Sequence, residues 1–185
     1  LVSRAQLDDR DAYGELTLRY RALVCSAVLG RLGNHHDVQD VAQAAFVRGF
    51  ICIRQLTAQQ SFRPWITRVA IREAQNRLRA AATTKRVQMD VHDPANALSA
   101  ETTEAEDWER NTDMQAALDD ILQILPEALR TPLLMRYIGG GQHREIAEAL
   151  ATTENGVQKT ISRAIKVLRK HLRDTGKGDE YLELL

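Results

Sequence analysis

Apolar positions recur every three to four residues along most of this chain, the period of a helix that buries one face. Ala12, Tyr13, Leu16, Tyr20, Leu23, Val24, Ala27 and Val28 mark a first helix. The acids Asp8, Asp9 and Asp11 suit its start, and Gly30 and Gly33 mark its end. After the turn Asn34-His35-His36-Asp37, with Asp37 as expected cap, Val38, Val41, Ala42, Ala45, Phe46, Gly49 and Ile53 define a second helix. Residues 56–61 read as a polar loop. Pro64 suits the first turn of a third helix, where its missing amide proton costs nothing. Trp65, Ile66, Val69, Ala70, Ala74 and Leu78 form the expected buried face there, opposite Arg68, Arg72, Gln75, Asn76 and Arg79. This compact helical unit is expected to end near Ala82.

Periodicity then fails until Met114, Leu118, Ile121, Leu122 and Leu125. Pro126 opens a further helix with Leu129, Leu133, Met135, Tyr137 and Ile138 as core, and Pro132 within it predicts a kink or a restart capped by Thr131. Gly139-Gly140-Gly141 is a stop. Ile146, Ala147 and Leu150 share one face of a short helix, and a small-residue turn follows from Ala151 to Gly156. Thr152 or Thr153 is the expected cap of the next helix, whose stripe is Val157, Ile161, Ala164, Ile165, Leu168 and Leu172. Its other face carries Lys159, Arg163, Lys166, Arg169, Lys170 and Arg173. Two short helices, a tight turn and a basic second helix read as a helix-turn-helix, whose second member can enter a major groove. An ordinary helical hairpin with a solvated basic face is the alternative.

The 185 residues carry no formal net charge, but the charge is segregated. From Ser61 to Arg86 seven bases face one acid, +6; from Val87 to Pro126 ten acids face one base, −9; from Glu127 to Arg173 nine bases face four acids, +5. Two basic blocks around an acidic one fit a protein that touches nucleic acid twice. Residues 83–112 read as a flexible acidic linker, with a transient helix around Thr103 to Arg110. Residues 174–185 read as a tail in which Tyr181, Leu182 and Leu184 could dock. Cys25 and Cys52 lie in helical patterns and read as buried apolar residues in a reducing compartment. No apolar run approaches a membrane span and no signal-peptide pattern opens the chain, so a cytoplasmic location is expected. His35 and His36 are adjacent in a turn and no ligand set has zinc-like spacing, so neither metal nor cofactor is expected.

Asp37, Asp40, Val41, Gln43 and Phe46; Phe62, Trp65, Ile66, Val69, Ala70, Leu78 and Arg79; and Leu125-Pro126, Arg130, Glu145-Ile146-Ala147, Val157, Arg163-Ala164 and Leu168 stand in a telling order. Together they resemble the sigma subunits of bacterial RNA polymerase, the small extracytoplasmic-function group of the sigma-70 family, over roughly residues 8–82 and 113–173. The resemblance implies an all-α chain of two small helical domains, region 2 (1–82) and region 4 (113–173), joined by the linker 83–112. It departs from the family pattern at Arg72 and Asn76, where Asn and Asp are usual, at Ala151 in place of a turn glycine, at Gly156, where Thr is common, and at Pro132.

By this resemblance the chain performs no bond chemistry. It would bring core RNA polymerase to a promoter and help open the duplex. Asp37, Asp40, Gln43 and Phe46 would meet the polymerase, although acids near a helix start are favourable without any partner. Gln59, Arg72, Gln75, Asn76 and Arg79 would line the melted downstream (−10) strand. Glu154, Asn155, Gln158, Lys159, Ser162 and Arg163 would lie at the upstream (−35) element. Trp65, at an apolar helix position, reads as core rather than as a stacking platform. An anti-sigma protein, often membrane-anchored, would hold such a factor inactive. Two other classes compete: a dimeric helix-turn-helix operator binder, for which no dimerisation helix or sensor domain is evident, and an enzyme using Cys25 or Cys52, for which no motif context exists.

Overall fold

A computed structural model describes residues 1–57, 61–90, 118 and 121–175, and among these no strand occurs. The helices are α1 (Val2–Ala5), α2 (Arg10–Leu32), α3 (Val38–Cys52) with a 3-10 turn at Ile53–Gln55, α4 (Phe62–Asp90), α5 (Glu127–Tyr137), α6 (His143–Ala149) and α7 (Glu154–Thr175). Residues 121–124 are also helical. The expected linker helix, Met114 and the C-terminal tail lie outside the described residues.

Each helix end has a local cause. The Asp9 carboxylate accepts the Ala12 amide at 2.9 Å and caps α2. That bond, with Arg4 next, lowers the pKa of Asp9. Gly33 ends α2 at φ 76°, a left-handed conformation that glycine adopts without strain. Gly30, expected as a terminator, is instead interior to α2 and buried. A Cβ there would lie 2.6 Å from the Thr131 Cα, so its role is close approach between helices.

Two further expectations differ. α4 continues to Asp90 instead of ending near Ala82. Alanines favour that continuation, and the Thr83 and Thr84 hydroxyls fold back onto the carbonyls of Arg79 and Ala80 at 3.0 and 3.1 Å. Exposed on every side from Asn76 to Thr84, this stretch has no apolar stripe to reveal it. α5 runs through Pro132 as one helix with no restart, and the buried Thr131 hydroxyl makes no hydrogen bond. An interior proline costs about 3 kcal/mol. Leu133, Leu134 and Met135, each 1% exposed, offset it, since burying such a side chain contributes about 1.5–3 kcal/mol.

Most expected core residues are buried, including Ala12, Leu16, Val24, Val41, Phe46, Ile66, Ala70, Ala74, Leu125, Ile146, Val157, Ile161 and Leu168. Leu78 and Tyr137 are corrections, at 38% and 46% exposed. Two apolar clusters form, and neither respects the division of the sequence into two basic blocks. Leu118, Leu122 and Leu134 join the cluster built by α2, α3 and α4. Leu23 and Ala27 of α2 join the cluster built by α5, α6 and α7. Arg130 is the polar counterpart of this mixing: it donates to the carbonyls of Gly30 (2.9 Å), Leu122 (2.8 Å) and Leu125 (3.3 Å). Burial lowers its pKa.

Candidate nucleic-acid and polymerase interfaces

The α6–turn–α7 unit is built from local rules. The Glu145 carboxylate accepts the Gln142 amide at 2.9 Å, which anchors the start of α6. At the other end Ala151 adopts φ 52°, while the Thr152 amide reaches the Ala147 carbonyl at 2.9 Å. The Ala151 amide bonds Glu148 at 3.4 Å, so the pair of bonds closes α6 as glycine-ended helices usually close. Thr153, one of the two expected caps, accepts the Gly156 amide on its hydroxyl at 3.1 Å.

From that cap α7 divides sharply. Val157, Ile161, Ala164, Leu168 and Leu172 are buried, and Glu154, Asn155, Gln158, Lys159, Ser162 and Arg163 are all exposed. Lys166, Arg169, Lys170 and Arg173 extend the exposed row toward the helix end. The six residues expected to face DNA therefore lie together on one helix, free of the core.

α4 presents a second polar row. Phe62, Ile66, Ala70 and Ala74 hold it to the core, while Arg72, Asn76 and Arg79 are exposed and Gln75 is half-buried. Gln59 lies outside the described residues. Trp65 is half-buried, packed on the core with its ring 5.6 Å from Phe62. Arg68 departs from the free row and contacts Glu148 at 3.7 Å.

The acidic start of α3 is divided. Asp37, the expected cap, makes no backbone capping bond. Its carboxylate accepts Arg77 of α4 at 2.8 Å, which lowers the Asp37 pKa and raises that of Arg77. Asp40 and Gln43 are exposed, but Phe46 is 7% exposed. Phe46 instead shares the floor of a groove of about 1010 Å³ between α2 and α3 with Tyr13 and Phe50, where Tyr13 donates to the Phe46 carbonyl at 2.6 Å. Asp40, Gln43, His35 and His36 stand around the same groove.

Sequence reasoning missed Leu18, Val47 and Ile51 on that groove, exposed at 76%, 56% and 67%. The available signal was that Val47 and Ile51 are four residues apart and off the buried stripe of α3, which makes a second apolar face. Arg77 was also missed, because no pattern within α4 distinguishes it from its neighbours. Cys25 is buried, which raises its thiol pKa, and Cys52 is half-buried; both are free thiols.

Two family models match in the order the geometry suggests. Residues 16–84 match sigma-70 region 2 and residues 115–168 match sigma-70 region 4. The chain belongs to the sigma-70 family. Several of its relatives are factors of the extracytoplasmic-function group. RNA polymerase sigma-H factor of Pseudomonas aeruginosa is 27% identical, over 94% of this chain and 92% of that protein. The extracytoplasmic-function factor SigW of Bacillus subtilis is 25% identical, over 94% and 95%. The sigma-E factor of Escherichia coli K12 is 27% identical, over 89% and 88%. Among solved structures, CnrH in complex with the cytosolic domain of CnrY shares the fold at TM-score 0.66, with 20% identity over 94% of this chain and 95% of that one. The sigma factor RpoE with the anti-sigma factor NepR from Bartonella quintana gives 0.65, with 16% identity over 89% and 98%. In region terms, α2, α3 and most of α4 make region 2, and α5 to α7 fall in region 4.

Proposed function

We propose that this sigma-70-family chain is an alternative sigma factor: it binds core RNA polymerase, directs it to particular promoters and assists melting. The observation that carries the reading is the exposed row of α7 from Glu154 to Arg163, backed by a continuous buried stripe and preceded by a capped turn. Its N-terminal residues are the part of such a helix that reaches base edges. A good bidentate contact there discriminates by about 1–3 kcal/mol. Lys166, Lys170 and Arg173 supply phosphate neutralisation, which gives affinity that falls with salt.

Region 2 takes the other tasks in this reading. Arg72, Gln75, Asn76 and Arg79 hold the separated −10 strand on a basic surface, with Gln59 in the adjoining loop. Asp40, Gln43 and the rim of the α2–α3 groove receive the polymerase, and Phe46 shapes the groove from beneath. Asp37 acts through Arg77 in the structure and joins the polymerase contact by exchanging that partner. An anti-sigma protein, membrane-anchored in the form proposed, covers the same groove; its apolar rim of Leu18, Val47 and Ile51 suits an amphipathic segment. The factor itself works in the cytoplasm without bond chemistry or cofactor, and no described helix is long and apolar enough to cross a membrane.

The test is transcription in vitro with core polymerase on a promoter library. The parent should direct specific start sites, Asp40→Arg should lose them by failing to bind core, and Lys159→Ala should retain core binding. A parent that selects no start site with active core polymerase overturns the reading.

A further inference from the structure

The α2–α3 groove joins apolar side chains to uncompensated positive charge. Leu18, Val47 and Ile51 stand exposed around it, and Asp40 is the one acid among its lining residues. Arg10 and Arg21 line it from α2 and are exposed. Among the described residues no carboxylate pairs with either guanidinium. Such a surface suits an occupant that is both apolar and acidic.

The chain carries one segment of that composition. Past Thr175, the last residue of α7, the sequence runs Gly-Lys-Gly and then Asp-Glu-Tyr-Leu-Glu-Leu-Leu. Asp179, Glu180 and Glu183 supply the acids, and Tyr181, Leu182, Leu184 and Leu185 the apolar side chains. The acids from Glu101 to Glu109, by contrast, surround a single large apolar residue, Trp108. We propose that residues 179–185 fill the α2–α3 groove of the free factor. The surface assigned above to the polymerase, an assignment on which this consequence rests, is then covered by the chain itself until a stronger partner displaces the segment.

The sequence is long enough to get there. Leu168 of α7 shares an apolar cluster with Leu23 and Ala27, which lie across α2 from Leu18 and Arg21 of the groove. A helix with its side chains is about 10–12 Å across, and Thr175 stands about 10 Å of helix beyond Leu168. The ten steps from Thr175 to Leu185 reach up to about 34 Å. Tethering also makes a weak contact sufficient. A segment on a short linker meets its site at an effective concentration on the order of mM, so an intrinsic Kd of about 1 mM half-fills the groove and about 0.1 mM fills nine tenths. A competing partner then binds about two- to tenfold less tightly than it would to an open groove.

Photo-crosslinking on the full chain tests the placement. With p-benzoylphenylalanine in place of Ile51, irradiation of the free factor should capture residues 179–185 of the same molecule, read by mass spectrometry of the monomer band. Glu180→Lys with Glu183→Lys should cut that yield several-fold. Arg21→Glu should do the same, and adding Glu183→Arg to it should recover the crosslink. Capture of no peptide from 179–185 overturns the proposal. Crosslinks found only between two molecules, rising with concentration, overturn it too and give the groove to a second copy. The Glu180→Lys, Glu183→Lys chain should also bind core polymerase about two- to tenfold more tightly. Unchanged affinity in a variant that has lost its crosslink would overturn the covering role. A parent that captures its own segment yet selects no promoter would sink the functional reading and leave the docking standing.

Discussion

Asp37 gives its carboxylate to Arg77 instead of to the amides of its own helix, and that choice sets an acid dependence. Its pKa lies below the ordinary 3.8, because the Arg77 guanidinium favours the charged form. A depressed folded value contributes stability above the unfolded pKa and loses it as pH falls through the folded one. Arg77→Ala should therefore lower stability at neutral pH by about 0–1 kcal/mol, small because Arg77 is more than half exposed, and by nothing at strongly acid pH. A carboxyl titration followed by NMR checks it: the Asp37 midpoint should rise toward 3.8 in that variant. Ala151 also carries a conformational cost, since φ 52° crowds a Cβ. Ala151→Gly should raise the denaturant midpoint by up to about 1 kcal/mol equivalent with an unchanged m-value. The departure from a turn glycine is plain in the sequence. The Asp37 partner was not, because it lies forty residues away on another helix.

At the scale of elements, periodicity reports burial and nothing else. α7 was legible in full because its stripe from Val157 to Leu172 is buried and its polar row is not. The stretch of α4 from Asn76 to Thr84 was not legible, since a helix with no buried face leaves no apolar rhythm. α5 misled in the opposite sense: Pro132 announces a break, but three fully buried neighbours outweigh one proline. The candidate site follows the same division. Positions Glu154 to Arg163 are exposed on α7 as the pattern implied, while Phe46, named as a polymerase contact, is buried beneath the α2–α3 groove. Within α7 two kinds of contact should separate by experiment. Lys159→Ala should weaken promoter duplex binding about equally on all sequences and reduce the salt slope by about one, whereas Gln158→Ala should leave the slope and relax preference at one base position. Fluorescence anisotropy against a set of duplexes at several salt concentrations reads both.

At the scale of the molecule, the two basic blocks were visible in the charge pattern, but their shared core was not. The residues that create it, Gly30, Leu23, Ala27 and Thr131, sit in unremarkable helical positions. Packing across a distance of a hundred residues has no local signature. One consequence is cooperative: Leu29→Ala, in the cluster of α2 to α4, and Leu133→Ala, in that of α5 to α7, should each cost about 2–5 kcal/mol. Both should shift a single denaturation transition; two separate transitions would show that the clusters melt independently.

Arg63 extends this dependence to a helix end. From the first turn of α4 its guanidinium donates to the carbonyls of Gly139 and Gly140, at 3.2 and 2.7 Å, just past the last residue of α5. Region 4 thus borrows part of its own punctuation from region 2. A fragment beginning at about residue 113 would carry the recognition helix intact yet lack that guanidinium, and its α5 terminus should fray in amide exchange. Dissecting this factor into halves would then measure two weakened pieces rather than the parts of the whole.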